Sequence, residues 1–100
     1  MPKVLREALW DLAPAIPGAV LREVCCNWYA PGEGMPEHRD LASYQHNVVV
    51  ALNDNGDGVI INDDFFPDIP GLATVFPRLS EPHMVPAVKH KRYVLIFLYD

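Results

Sequence analysis

The sequence predicts a mainly β protein, a sandwich or barrel of about eight short strands preceded by one helix. Runs rich in β-branched and aromatic residues recur along the chain, and Gly, Pro, Asn and Asp separate them at short intervals. Only one segment, near the N-terminus, has apolar residues at helical spacing. Half of the 100 residues are hydrophobic, which suffices for the core of one small domain spanning residues 1–100.

The elements are expected to follow one another without linkers or repeats. A helix is predicted over residues 2–13, because five apolar residues share one helical face: Val4, Leu5, Ala8, Leu9 and Leu12. We expect this helix to pack on the larger sheet. A β core is predicted over residues 19–99, with strands within 19–30, 35–40, 45–53, 59–63, 72–77, 83–88 and 92–99. The prolines of the 65–71 segment are typical of an edge strand or of a corner.

Charge and cysteine content narrow the classes of partner. The net charge is -5 and the basic residues cluster only at 89–92, which argues against nucleic acid as a main partner. Charges or prolines interrupt every apolar run, so no membrane span is expected. Cys25 and Cys26 are adjacent and would point to opposite faces of a strand. We expect both thiols to stay reduced, which favours a cytoplasmic setting.

Three residues are candidate metal ligands. His38 and Asp40 are two residues apart, so in a strand both side chains face the same side. His83, which precedes the last strands, would complete two histidines and one carboxylate, a set that suits Fe(II) with open coordination positions. Arg92 opens the final strand and is expected to face inward, where its guanidinium can bind a carboxylate. If Arg92 faces inward, strand alternation turns Lys91 outward.

Two other motif matches are weaker. The 38–42 stretch reads like the start of a protein-kinase catalytic loop, but Gln45 stands where the metal-binding Asn would be, and no Gly-rich loop is present in the sequence. The 53–64 stretch has calcium-loop spacing, but its first position is Asn53 and its flanks read as strands. A hairpin turn is the simpler expectation there.

Four short motifs in order resemble the Fe(II)/2-oxoglutarate-dependent dioxygenases, in particular the prolyl-hydroxylase-like branch. They are Tyr29-Ala30-Pro31-Gly32, His38-Arg39-Asp40, His83-Met84-Val85-Pro86 and Arg92. The resemblance covers residues 20–99 and implies a double-stranded β-helix, or jelly-roll, core.

The resemblance also implies a role for each matching residue. His38, Asp40 and His83 would bind Fe(II), Arg92 would pair with the distal carboxylate of 2-oxoglutarate, and Tyr29 would line the co-substrate pocket. The implied activity is hydroxylation of a small-molecule or peptide substrate, with release of succinate and CO₂.

The chain also departs from that family. Ala51 stands where close relatives supply a tyrosine to 2-oxoglutarate, and one short helix replaces the usual flanking helices. We therefore expect self-association, as a homo-oligomer, to cover exposed sheet. Two alternatives stay open: a cupin-like metal protein that does not use 2-oxoglutarate, and a non-catalytic jelly-roll binding or assembly module.

Overall fold

A computed structural model describes residues 1–39, 44–76 and 81–100, which form one helix and two four-stranded antiparallel sheets. The elements are α1 (Lys3–Asp11), β1 (Leu21–Tyr29), β2 (Met35–His38), β3 (His46–Ala51), β4 (Gly58–Ile61), β5 (Asp64–Pro67), β6 (Ala73–Val75), β7 (His83–Val85) and β8 (Arg92–Tyr99). The first sheet has the order β1-β8-β3-β6 and the second β2-β7-β4-β5. The predicted mainly β, jelly-roll architecture is confirmed.

The chain passes repeatedly between the two sheets, and this crossing builds a core between them. Strands β1, β3, β6 and β8 belong to the first sheet, whereas β2, β4, β5 and β7 belong to the second. Alternate residues of each strand point inward. The buried cluster accordingly joins Val49 and Val94 of the first sheet to Val59, Ile61 and Val85 of the second.

The Asn- and Asp-rich segment 52–57 is one of these crossings, so the predicted hairpin turn is wrong. β3 pairs with β6 and β8, whereas β4 pairs with β5 and β7. The Asn53 amide donates to the Lys91 carbonyl (2.7 Å), and the Asn55 side chain accepts from the Asp57 N–H (2.7 Å). These side chains hold the crossing by bonding to backbone groups.

The helix packs on the outer face of the first sheet, as predicted, but it buries less of its apolar face than its spacing suggests. Leu9 and Trp10 pack against a second buried cluster that includes Val48. Val4 and Leu12 remain 80% and 75% exposed. The reason is that α1 contacts β1, the edge strand of that sheet, so part of the helix has no sheet beneath it. The expected self-association stays a prediction.

Strand β5 lies at the edge of the second sheet, a position that tolerates its one proline, Pro67, so the predicted edge position is confirmed. The chain then turns back, and the Asp68 N–H donates to the Asp57 carbonyl (2.8 Å). This bond brings the Asp68 side chain against the first residue of β8.

Among the described residues, no helix is long and apolar enough to cross a membrane.

Candidate functional site

Two predicted metal ligands lie side by side on neighbouring strands. His38 ends β2, His83 begins β7, and the antiparallel register pairs the two residues directly. Their ring centroids are 4.2 Å apart at an interplanar angle of 62°. His83 is only 6% exposed and its ring contacts Phe76 edge-on. The sheet therefore brings together two imidazoles that are 45 residues apart in sequence (83 − 38).

Backbone hydrogen bonds fix the same tautomer in both rings. His38 Nδ1 lies 2.8 Å from the Pro36 carbonyl oxygen, and His83 Nδ1 lies 2.9 Å from the Glu81 carbonyl oxygen. A carbonyl oxygen only accepts, so each Nδ1 donates its proton and Nε2 is the ring nitrogen that could bind a metal. Metal-binding histidines are commonly oriented in this way, by an N–H bond from the second ring nitrogen.

The third predicted ligand, Asp40, lies outside the described residues. Within residues 1–39, 44–76 and 81–100, no group of three His, Cys, Asp or Glu side chains is close enough to hold a metal ion. The described part of the chain thus contributes the two histidines of the predicted set, and the carboxylate stays a prediction.

A pocket of about 380 Å³ opens between the sheets beside the histidines. His38, His83 and Arg92 line it, and most of the remaining wall is apolar, including Val59 and Ile96. A few polar groups in an otherwise apolar cavity are typical of a small-molecule site. The volume is near the lower end of the range for such sites, roughly 300–1,000 Å³, so it suits a small ligand or a single inserted side chain.

Arg92 faces inward as predicted, and the structure gives it a partner that the sequence did not reveal. Its side chain is 2% exposed, and Asp68 beside it is 6% exposed. Arg92 Nε donates to Asp68 Oδ2 (2.6 Å) and Nη2 donates to Oδ1 (3.1 Å). This two-point pairing occupies the Nε–Nη2 edge of the guanidinium. The Nη1 edge makes no contact with Asp68, so its donors could bind a ligand. Lys91 is exposed.

Tyr29 and Ala51 occupy the positions that the resemblance singled out. Tyr29 lies opposite Arg92 in the β1–β8 register, and the guanidinium carbon sits 5.1 Å from its ring centroid. Tyr29 also lines the pocket, so its ring supports Arg92 through a cation–π contact. Ala51 is buried in the core between the sheets and offers no polar group.

Asn47, which the sequence analysis did not select, is a polar residue in the apolar wall. It lines the pocket on β3 and is 8% exposed. Its Oδ1 atom is buried without a hydrogen-bond partner in the part of the chain that the structure describes. Such atoms are rare in folded proteins and call for an explanation, such as a ligand that donates a hydrogen bond. The available signal was an amide side chain directly before the apolar run 48–51.

We expect Asn47→Val to raise the free energy of unfolding of the metal-free protein by about 1 kcal/mol, because it removes an unsatisfied buried acceptor. Asn53→Val is the matched control, since the Asn53 amide donates to Lys91 O (2.7 Å) and accepts from Tyr93 N (3.0 Å). That control should lower the same quantity. Urea denaturation measures both, and a loss of stability in Asn47→Val would mean that its amide is satisfied.

Cys25 also lines the pocket and carries a neutral thiol. Burial is the main cause that raises the pKa of Cys25 above its ordinary value, and the negative charges of Glu23 and Cys26 add to it. A thiol with a raised pKa is a poor nucleophile and a poor metal ligand at neutral pH. Both cysteines are free, as expected.

Comparison with known proteins gives a likeness in fold. No family model matches the sequence, and no curated protein matches it significantly. A crystal structure of an oxidoreductase of the 2OG-Fe(II) oxygenase family from Burkholderia pseudomallei superposes with a TM-score of 0.71. The match has 20% identity and covers 95% of this chain and 51% of the oxygenase. The chain has a jelly-roll fold. It spans about half the length of that oxygenase.

Two further solved structures share this jelly roll. The plu4264 protein from Photorhabdus luminescens matches with a TM-score of 0.62 and 15% identity, over 77% of this chain and 61% of that protein. An RmlC-like cupin protein from Desulfovibrio desulfuricans matches with a TM-score of 0.58 and 22% identity, over 80% of this chain and 78% of the cupin. The fold is therefore compatible with an oxygenase and with a cupin, and the chemistry must be argued from the site.

Proposed function

We propose that this protein is an Fe(II)- and 2-oxoglutarate-dependent oxygenase that hydroxylates a small molecule or a peptide side chain. The observation that carries the proposal is the cross-strand pair His38 and His83, with both Nδ1 atoms bound to backbone carbonyls beside a pocket that Arg92 also lines. Two imidazoles that would bind through Nε2 suit Fe(II), and the Nη1 edge of Arg92 suits a carboxylate.

The protein's own residues would bind and orient the reactants. His38 and His83 would hold the metal, with Asp40 as the proposed third ligand. Bound Fe(II) would supply the activation of O₂. Arg92, supported by the Tyr29 ring, would fix the distal carboxylate of the co-substrate. The apolar wall would exclude water from the reacting centre and so limit side reactions.

An anaerobic titration tests this function. Fe(II) followed by 2-oxoglutarate should produce a visible metal-to-ligand charge-transfer band, because the 2-oxo acid would chelate the metal. Admission of O₂ should then convert 2-oxoglutarate to succinate and CO₂. Metal binding without a band on adding 2-oxoglutarate would contradict the proposal, and so would the absence of metal binding.

A cupin-like metal protein is the second candidate, and one observation favours it. Arg92 is already paired with the buried Asp68 carboxylate, so its positive charge is balanced without a co-substrate. Bound metal with no 2-oxoglutarate band would support this candidate. Absence of metal binding would instead support a non-catalytic jelly-roll module.

A further inference from the structure

A buried carboxylate contacts Arg92 from outside the pocket wall. We propose that Asp68 sets the co-substrate specificity: by neutralising Arg92, it makes the pocket bind 2-oxo acids with uncharged tails about as well as 2-oxoglutarate. This inference rests on the proposed function, because it concerns which 2-oxo acid binds beside the metal.

The geometry of the pair leaves Arg92 able to bind a ligand but with its charge already balanced. Asp68 accepts from Nε (2.6 Å) and from Nη2 (3.1 Å), which is one edge of the planar guanidinium. The Nη1 donors and the second Nη2 donor form the other edge. Arg92 lines the pocket, whereas Asp68 does not. A ligand therefore meets a hydrogen-bonding edge of an ion pair and not an isolated cation.

The carboxylate is held in place and cannot readily move away when a ligand arrives. Asn55 Nδ2 donates to Asp68 Oδ2 (3.0 Å), and Asn55 Oδ1 accepts from the Asp57 N–H (2.7 Å). The Asp68 N–H in turn donates to the Asp57 carbonyl (2.8 Å). Asn55 is itself buried. This network fixes the negative charge beside Arg92 whether or not the pocket is filled.

The balance of charges then disfavours a second carboxylate. Arg92 is the only Lys or Arg among the described residues that line the pocket, and none of those residues is Asp or Glu. The distal carboxylate of 2-oxoglutarate would share one guanidinium with Asp68 and would be repelled by it at low effective dielectric. An alkyl tail would instead contact apolar walls such as Val59 and Val94, and it would leave the ion pair undisturbed.

Two 2-oxo acids that differ only in the tail measure whether the pocket prefers a charged or an uncharged tail. One is 2-oxoglutarate and the other is 2-oxopentanoate, which has a methyl group in place of the distal carboxylate. Their dissociation constants are obtained anaerobically on the Fe(II)-loaded protein from the charge-transfer band. We expect the two constants of the unmodified protein to lie within about ten-fold of each other, which corresponds to about 1.4 kcal/mol.

The Asp68→Asn variant should restore the preference for the dicarboxylate. It keeps one acceptor oxygen for Arg92 but removes the charge, so 2-oxoglutarate should bind about ten-fold tighter or more, while the constant for 2-oxopentanoate should change by less than about three-fold. Asp64→Asn is the matched control, because it removes an exposed carboxylate from β5 and should leave the ratio of the two constants unchanged.

The outcomes separate this inference from the proposed function. An unmodified protein that prefers 2-oxoglutarate by more than about ten-fold would overturn the inference while supporting the function, and this result does not depend on any variant folding. Equal weakening of both probes in Asp68→Asn would show a structural role and would also overturn it. Failure of both probes to bind the metal-loaded, unmodified protein would overturn the function together with the inference.

Discussion

Replacing His83 by alanine is expected to remove most of the stabilisation of the protein by a divalent metal. Mn(II) serves as an air-stable probe, and at a hundred times its dissociation constant it should stabilise the unmodified protein by about 2.7 kcal/mol. Loss of even an outer partner of a metal-bound histidine costs roughly 10–100-fold in affinity, so loss of a ligand should cost at least about 100-fold. At the same Mn(II) concentration the gain should then fall to about 0.4 kcal/mol.

The measurement is urea denaturation with and without Mn(II). His90→Ala is the matched control, because His90 is exposed and does not line the pocket; this variant should keep the full gain. His38→Ala should behave like His83→Ala, since the two rings are paired across the strands. A gain that persists in His83→Ala, or that disappears in His90→Ala, would place the metal elsewhere.

Most of the fold could be predicted because strands and turns have local signals. The run Arg92–Tyr99 is a strand because it is apolar and β-branched or aromatic, and the prolines of the 65–71 segment mark an edge. The 52–57 segment shows the limit of such signals, because Asn, Asp and Gly predict a turn but not whether it joins paired strands or two sheets. Which strands pair with each other is decided by the topology of the whole fold.

The candidate site could be predicted only in part from the sequence, because it too depends on how the strands pair. Strand alternation relates His38 to Asp40, but the pairing of His38 with His83 depends on the register between β2 and β7. The sequence suggested His83 only as the ligand that would complete the set, and it gave no register. Asp68 gave a weaker signal, as one acidic residue among prolines and apolar residues. Its burial arises because the chain after β5 folds back on Arg92, 24 residues away, although a buried arginine does require a partner.

Arg92→Met is expected to destabilise the protein by about 3–5 kcal/mol, because it leaves the Asp68 carboxylate buried without its cation. The two side chains are 2% and 6% exposed and joined by two hydrogen bonds, so water cannot replace the lost donors. Total stabilities of small domains are only about 5–15 kcal/mol, so the variant should unfold at much lower urea concentration. Lys91→Met, at the exposed neighbouring position, should change stability by less than about 0.5 kcal/mol.

The double variant Arg92→Met/Asp68→Asn distinguishes a broken ion pair from lost packing. Removing both charges should recover at least about half of the lost stability, since replacing a whole buried pair costs far less than removing one partner. No recovery would mean that the packing of the Arg92 side chain, for example on the Tyr29 ring, matters more than the charge. If stability is recovered, the double variant should also be used to measure the effect of losing Arg92 on co-substrate affinity. In Arg92→Met alone, a loss of affinity could not be distinguished from partial unfolding.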